Sequence, residues 1–86
     1  MPRIRLYADF NNADSEGRIR LNSAGTLKDL AQLGLRLQDG LMLTVHDEEL
    51  TVDGEAVYSE QESVWTVRID WNQVESQTSG LHEMAG

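Results

Sequence analysis

Apolar and polar residues alternate with a period of two in several short segments of this chain, and turn-forming residues separate the segments. Such alternation is typical of β-strands that bury one face. The first of these segments spans residues 3–10, and the clearest is Val64–Trp71. In the segment Val64–Trp71, the residues predicted to point inward are Trp65, Val67, Ile69 and Trp71. A chain patterned in this way is expected to form a mainly β structure.

Two turn signals predict β-hairpins. The polar stretch 11–17 joins the first segment to residues 18–21, which resume the alternation, so an antiparallel hairpin is predicted over residues 3–22. Farther along, residues 41–46 alternate as another strand. Asp53-Gly54 is a strong signal for a two-residue turn and predicts a hairpin between Leu50–Val52 and Ala56–Tyr58.

One segment changes from the strand period to the helix period. Residues 26–34 predict a short α-helix with Thr26 as N-cap and Gly34 as the left-handed stop. Leu27, Leu30 and Ala31 share one face of this helix. About five strands and one short helix predict a small SH3-like barrel or a strongly bent antiparallel sheet, with an OB-like barrel or an open α+β sheet as alternatives.

The chain has 86 residues, which is enough for one domain with its own core. The alternating segments end near residue 74, so residues 1–74 are predicted to form a single β-rich domain. Residues 75–86 are rich in Ser, Gln, Thr and Gly and lack periodicity, which predicts a flexible C-terminal tail.

Composition narrows the classes of function. The net charge of −8 disfavours binding to phosphate backbones or anionic lipid surfaces. The absence of cysteine excludes disulfides, thiolate chemistry and cysteine-based zinc sites. No apolar run reaches the roughly 18 residues of a membrane span, and no signal peptide is recognised, so a cytoplasmic protein without a membrane segment is expected. No motif implies a cofactor or metal.

Charge is divided unevenly along the chain. Residues 1–36 hold six basic and four acidic residues, whereas residues 37–86 hold one basic and eleven acidic residues. In the predicted first hairpin, one outward face would carry Arg3, Arg5, Arg18 and Arg20, with Tyr7 beside them. Four guanidiniums on one face repel each other unless anions accompany them. Those anions could be the chain's own carboxylates, a protein partner or nucleic acid.

Acidic residues dominate the second half of the chain. Their predicted positions at turns and strand ends form an acidic rim that consists of Asp47, Glu48, Glu49, Asp53, Glu55, Glu60 and Glu62. Surface carboxylates favour solubility and protect strand edges from pairing with other chains. Such a rim could also contact a basic groove of a partner.

The first two residues, Met1 and Pro2, suggest one type of catalysis. If Met1 were removed, the secondary amine of Pro2 could act as a general base. Met-Pro followed by the strand of residues 3–10 resembles the start of the tautomerase superfamily, whose members follow that strand with a long helix and a parallel strand. Here residues 11–22 predict a turn and another strand instead, so the pattern departs from the superfamily.

These observations favour a non-catalytic protein-interaction or regulatory module that contacts another protein, or a second copy of itself, through an exposed sheet face or edge. The alternatives are nucleic-acid binding through the arginine face and, more remotely, a Pro2-dependent tautomerase-like enzyme. No catalytic residue is predicted.

Overall fold

A computed structural model describes residues 4–76 and shows a mainly β chain with one short helix. The strands are β1 (Arg5–Tyr7), β2 (Ile19–Arg20), β3 (Met42–His46), β4 (Leu50–Ser59), β5 (Val64–Ile69) and β6 (Glu75–Ser76), and the helix is α1 (Ala24–Leu33). Five strands follow the order β1-β3-β4-β5-β2 in a strongly curled sheet that forms a half-barrel, and β6 pairs with β4. The prediction of a strongly bent, mainly β fold is confirmed.

The core occupies the inner face of the sheet, where the period-two alternation places it. Paired residues from neighbouring strands share this face, as in Val45 opposite Val52 and Ala56 opposite Val67. The fully buried side chains Leu6, Leu43 and Ile19 extend it across the sheet. Alternation therefore predicts the buried side of β1 and β3 correctly, whereas Thr66 on the opposite face of β5 is fully buried as well.

The first hairpin prediction is wrong. β1 pairs with β3 in parallel, with Leu6 opposite Val45, whereas β2 pairs with β5 in antiparallel orientation. The connector between them folds back on β2 instead, through a bridge between Ala13 and Ile19. Alternation identifies a strand and its buried face but carries no information about the partner strand, which long-range packing decides.

The helix lies along the outer edge of β1. Its N-cap is Ser23 rather than Thr26, and Ser23 Oγ accepts a hydrogen bond from the backbone N–H of Thr26 at 3.4 Å. The predicted stop at Gly34 is confirmed, because this residue adopts the left-handed conformation with φ of 61°. The cap position shifts because Thr26 is turned inward, where it is fully buried.

The Asp53-Gly54 hairpin prediction is also wrong. β4 continues through both residues, and the turn between β3 and β4 lies at residues 47–49, where Asp47 Oδ1 accepts hydrogen bonds from the backbone N–H groups of Glu49 and Leu50. Gly54 is buried in the middle of β4. A Cβ there would lie 2.6 Å from Val67 Cγ2 and 2.8 Å from the Arg68 carbonyl oxygen. Close approach of β5, rather than a turn, requires glycine at this position.

Trp71 is not part of the last long strand. β5 ends at Ile69, and Asp70 caps a short 3-10 helix over Trp71–Gln73. The Trp71 ring is half exposed, packs edge-on against Phe10 and donates a hydrogen bond from Nε1 to the Gly17 carbonyl oxygen at 2.8 Å. The prediction that Trp71 points into the core is therefore wrong.

Glu75–Ser76 pairs with β4 and extends the described fold two residues past the predicted boundary at residue 74. The rest of the predicted tail, residues 77–86, lies outside the described residues, as do Pro2 and Arg3.

Replacing Gly54 with alanine is expected to lower the free energy of unfolding by about 2 kcal/mol, because the new methyl group overlaps the side chain of Val67 and the backbone of β5. Urea denaturation of the variant and the parent chain measures this difference. Gly34→Ala is the matched control, since no atom lies within 4 Å of a Cβ at that position and only the left-handed backbone resists it. The control should lose about 1 kcal/mol. Equal losses for the two variants would contradict the close-approach explanation.

Candidate interaction surfaces

The predicted arginine face is not assembled as expected. Arg5 lies on β1 and Arg20 on β2, and three other strands separate these two strands in the sheet order. The hairpin that would have placed them side by side is replaced by the pairings with β3 and β5. Arg18 immediately precedes β2, and Arg3 lies outside the described residues.

Arg20 is bound by groups of its own chain. Its Nε and Nη2 atoms donate to the two carboxylate oxygens of Glu62 at 2.7 and 2.9 Å, and its Nη1 donates to Asn12 Oδ1 and the Ala13 carbonyl oxygen. The hydrogen bonds from Arg20 hold the pKa of Glu62 below its usual range. The guanidinium therefore joins β2 to the connector before it and to the turn between β4 and β5.

Arg18 is also paired internally, with Asp14. The Asp14 side chain is only 3% exposed, and it accepts hydrogen bonds from the backbone N–H groups of Glu16 and Arg18 at 2.9 Å and from Arg18 Nε at 3.0 Å. Burial raises the pKa of this carboxyl group, but these hydrogen bonds and the Arg18 charge outweigh burial and lower it overall. Arg5, in contrast, is exposed and has no side-chain partner within residues 4–76.

The acidic residues form three groups rather than one rim. Asp47, Glu48 and Glu49 occupy the turn between β3 and β4, Asp53 and Glu55 lie on the outer face of β4, and Glu60 and Glu62 belong to the turn at the opposite end of β4. Several of them already have partners. Glu55 accepts from Arg68 Nη2 at 3.0 Å, and Asp53 accepts from the Thr44 hydroxyl at 2.6 Å.

Tyr7 links β1 to α1, β3 and the turn after β3, and it does not lie beside a cluster of arginines. Its ring lies close against Gly25 of α1 and packs edge-on to His46, with ring centroids 6.2 Å apart. The hydroxyl group donates to Glu48 at 3.4 Å. Burial raises the pKa of Tyr7, and the neighbouring Glu48 carboxylate raises it further.

A cavity of about 370 Å³ lies where the chain leaves β5 and returns to pair with the start of β4. It is lined by Thr51, Val52, Asp53, Asp70, Gln73 and Glu75. Three carboxylates make this cavity acidic. Within residues 4–76, however, no three His, Asp or Glu side chains are grouped so that they could hold a metal ion.

At both edges of the curled sheet, groups of the same chain bind outward-facing backbone atoms. At β1, the Thr26 hydroxyl donates to the Tyr7 carbonyl oxygen at 2.7 Å, and Asp29 Oδ2 accepts from the Tyr7 N–H at 2.8 Å. At β2, the Arg20 N–H donates to the Asn12 carbonyl oxygen at 2.9 Å. A partner strand could not pair at either place without displacing these bonds.

Part of the apolar surface of α1 is exposed to solvent. Leu27 and Leu33 are 54% and 55% exposed, while Leu30 between them is partly buried against the core. We call these three residues the leucine ridge, since their spacing of three aligns them along the helix. Helical periodicity did not reveal this surface, because it shows which residues share a face but not which face meets the sheet.

No family model matches this chain, and neither a curated protein nor a solved structure matches it. Among residues 4–76, no helix is long and apolar enough to cross a membrane.

The Asp14 contacts predict a specific pH dependence. A carboxyl group whose pKa is lower in the folded state stabilises the fold above its usual pKa of about 4, and this contribution is lost as the pH falls through the folded value. Asp14→Asn is expected to lower the free energy of unfolding by about 1–3 kcal/mol at pH 7, and the difference from the parent chain should shrink towards pH 2. Urea denaturation across this pH range measures it.

Glu60→Gln is the matched control, because it removes the same charge at an exposed residue that has no ion-pair partner within the described chain. Its stability should follow that of the parent at every pH. A constant difference between Asp14→Asn and the parent from pH 7 to pH 2 would show that the carboxylate charge does not stabilise the fold.

Proposed function

We propose that this protein is a non-catalytic protein-interaction module that binds its partner through the leucine ridge of α1. The observation that carries the proposal is the exposure of two leucines of α1. Leu27 lies away from the inward-facing Thr26, Leu33 is the last residue of the helix, and both are more than half exposed. An amphipathic helix ordinarily buries its leucines against the domain that carries it. A contiguous exposed apolar surface marks a candidate protein-binding site, and the partly buried Leu30 joins the two exposed leucines.

The orientation of α1 is held by hydrogen bonds rather than by apolar packing alone. Thr26 and Asp29 bind the carbonyl and N–H groups of Tyr7, and both bonds would break if the helix rotated to bury Leu27. An unpaired backbone group at a buried edge costs about 1–3 kcal/mol. Burial of the exposed half of one leucine gains about 1 kcal/mol. Leu27 therefore remains exposed until a partner covers it.

Charge around the ridge indicates the chemistry of that partner. Lys28 on α1 and Arg36 just beyond it are exposed, and neither has an ion-pair partner within residues 4–76. Asp29 is the one carboxylate of the helix, and it is bound to Tyr7. The ridge is thus an apolar and cationic surface on an otherwise acidic protein. It suits an apolar groove with acidic side chains at its margin, which would receive the helix.

Replacing Leu27 and Leu33 together with glutamine is expected to abolish partner binding, because the apolar contacts are lost while helix propensity is preserved. The free energy of unfolding should change by less than about 1 kcal/mol, since both side chains are exposed. A partner isolated from native lysate by cross-linking to the full chain, then purified, is titrated calorimetrically with the parent and the variant.

Met42→Gln is the matched control, because Met42 is also half exposed but lies on β3. It should bind as the parent does. The proposal fails if the purified partner binds the double variant with unchanged affinity. Sedimentation velocity adds a separate test: a parent dimer that becomes a monomer in the double variant would identify the occupant as a second copy of this chain instead of a different protein.

A further inference from the structure

We propose that Tyr58, Trp65 and Asp39 form a binding site for an arginine side chain of a basic peptide segment. The site goes beyond the leucine ridge and is carried by a different observation, a partly exposed pair of aromatic rings with a carboxylate hydrogen-bonded to the backbone of Tyr58. The two surfaces are independent of each other.

The rings belong to residues that lie directly opposite each other on β4 and β5. Their centroids are 5.1 Å apart, and their planes are inclined at 68°, which is an edge-to-face arrangement. Trp65 is partly buried against the core, whereas Tyr58 is 38% exposed. Trp65 therefore anchors the pair, and Tyr58 presents aromatic surface to solvent at the end of the sheet.

A carboxylate is held against the same strand. Asp39 Oδ1 accepts a hydrogen bond from the Tyr58 N–H at 2.8 Å, which leaves Oδ2 without a hydrogen bond within residues 4–76. Glu60, two residues beyond Tyr58, is exposed and has no ion-pair partner in that part of the chain. Two carboxylates thus accompany the aromatic surface, one fixed by a hydrogen bond to Tyr58 and one close to it in the sequence.

An aromatic face next to a carboxylate favours a cation, since the ring attracts positive charge electrostatically. Arginine fits this pair of groups better than lysine. Its planar guanidinium is weakly hydrated and can stack on a ring while its N–H groups donate to a carboxylate. The net charge of −8 would also attract a basic peptide and speed its association at low salt.

The test is an NMR titration of the full chain with an acetylated, amidated tetra-arginine peptide. The indole N–H resonance of Trp65 should shift and saturate, while that of Trp71, which is hydrogen-bonded to Gly17, should stay in place. Tyr58→Leu should weaken binding about three-fold, because it removes the aromatic face and keeps an apolar side chain. Asp39→Asn should weaken it to a similar degree while retaining an oxygen acceptor for the Tyr58 N–H.

Glu49→Gln is the matched control for charge, since it removes one carboxylate at the distant turn between β3 and β4. It should leave the affinity near that of the parent. An unmoved Trp65 resonance, unchanged affinity in Tyr58→Leu, or equal weakening by Glu49→Gln and Asp39→Asn would each overturn the site. Equal affinity for a tetra-lysine peptide would overturn the assignment to arginine. The double leucine variant should still bind tetra-arginine, which separates this site from the ridge.

Discussion

Two hydrogen bonds between α1 and the backbone of Tyr7 determine how the helix is placed on the sheet. The Thr26 hydroxyl donates to the carbonyl oxygen and Asp29 accepts from the N–H, so both outward-facing backbone groups of Tyr7 are satisfied. Unpaired groups at a sheet edge attract other chains. Closing the edge with side chains of a helix removes that hazard. The same bonds fix the rotation of α1 about its axis, and exposure of Leu27 follows from that rotation.

Ion pairs within the chain also change what the net charge of −8 indicates about the surface. Arg18 and Arg20, which suggested a basic face, are bound to Asp14 and Glu62 and stabilise the connector and turn around β2. Arg68 is likewise paired with Glu55 on the outer face. The cations left without partners among residues 4–76 lie on β1, on α1 or just after it. The chain therefore combines an acidic surface with a small cationic region beside the leucine ridge.

The sequence predicted local features well and long-range ones poorly. The buried face of β3 follows from alternation at Leu43 and Val45, and Gly34 ends the helix as expected. Partner choice for β1 and β2 was not predictable, because a parallel pairing with β3 depends on packing across the whole sheet. The hairpin prediction at Asp53-Gly54 failed because this pair of residues is typical of turns. Glycine is also required wherever another strand approaches too closely for a side chain, and that is its role here.

The candidate surfaces were less accessible to sequence reasoning than the fold, for a physical reason. Helical periodicity shows that Leu27 and Leu30 share a face with Ala31, but it cannot show whether that face meets the sheet. Here a threonine takes the buried position because its hydroxyl satisfies a backbone carbonyl that no leucine could satisfy. The polar requirement of one strand edge thus outweighs the apolar preference of the helix and leaves Leu27 exposed.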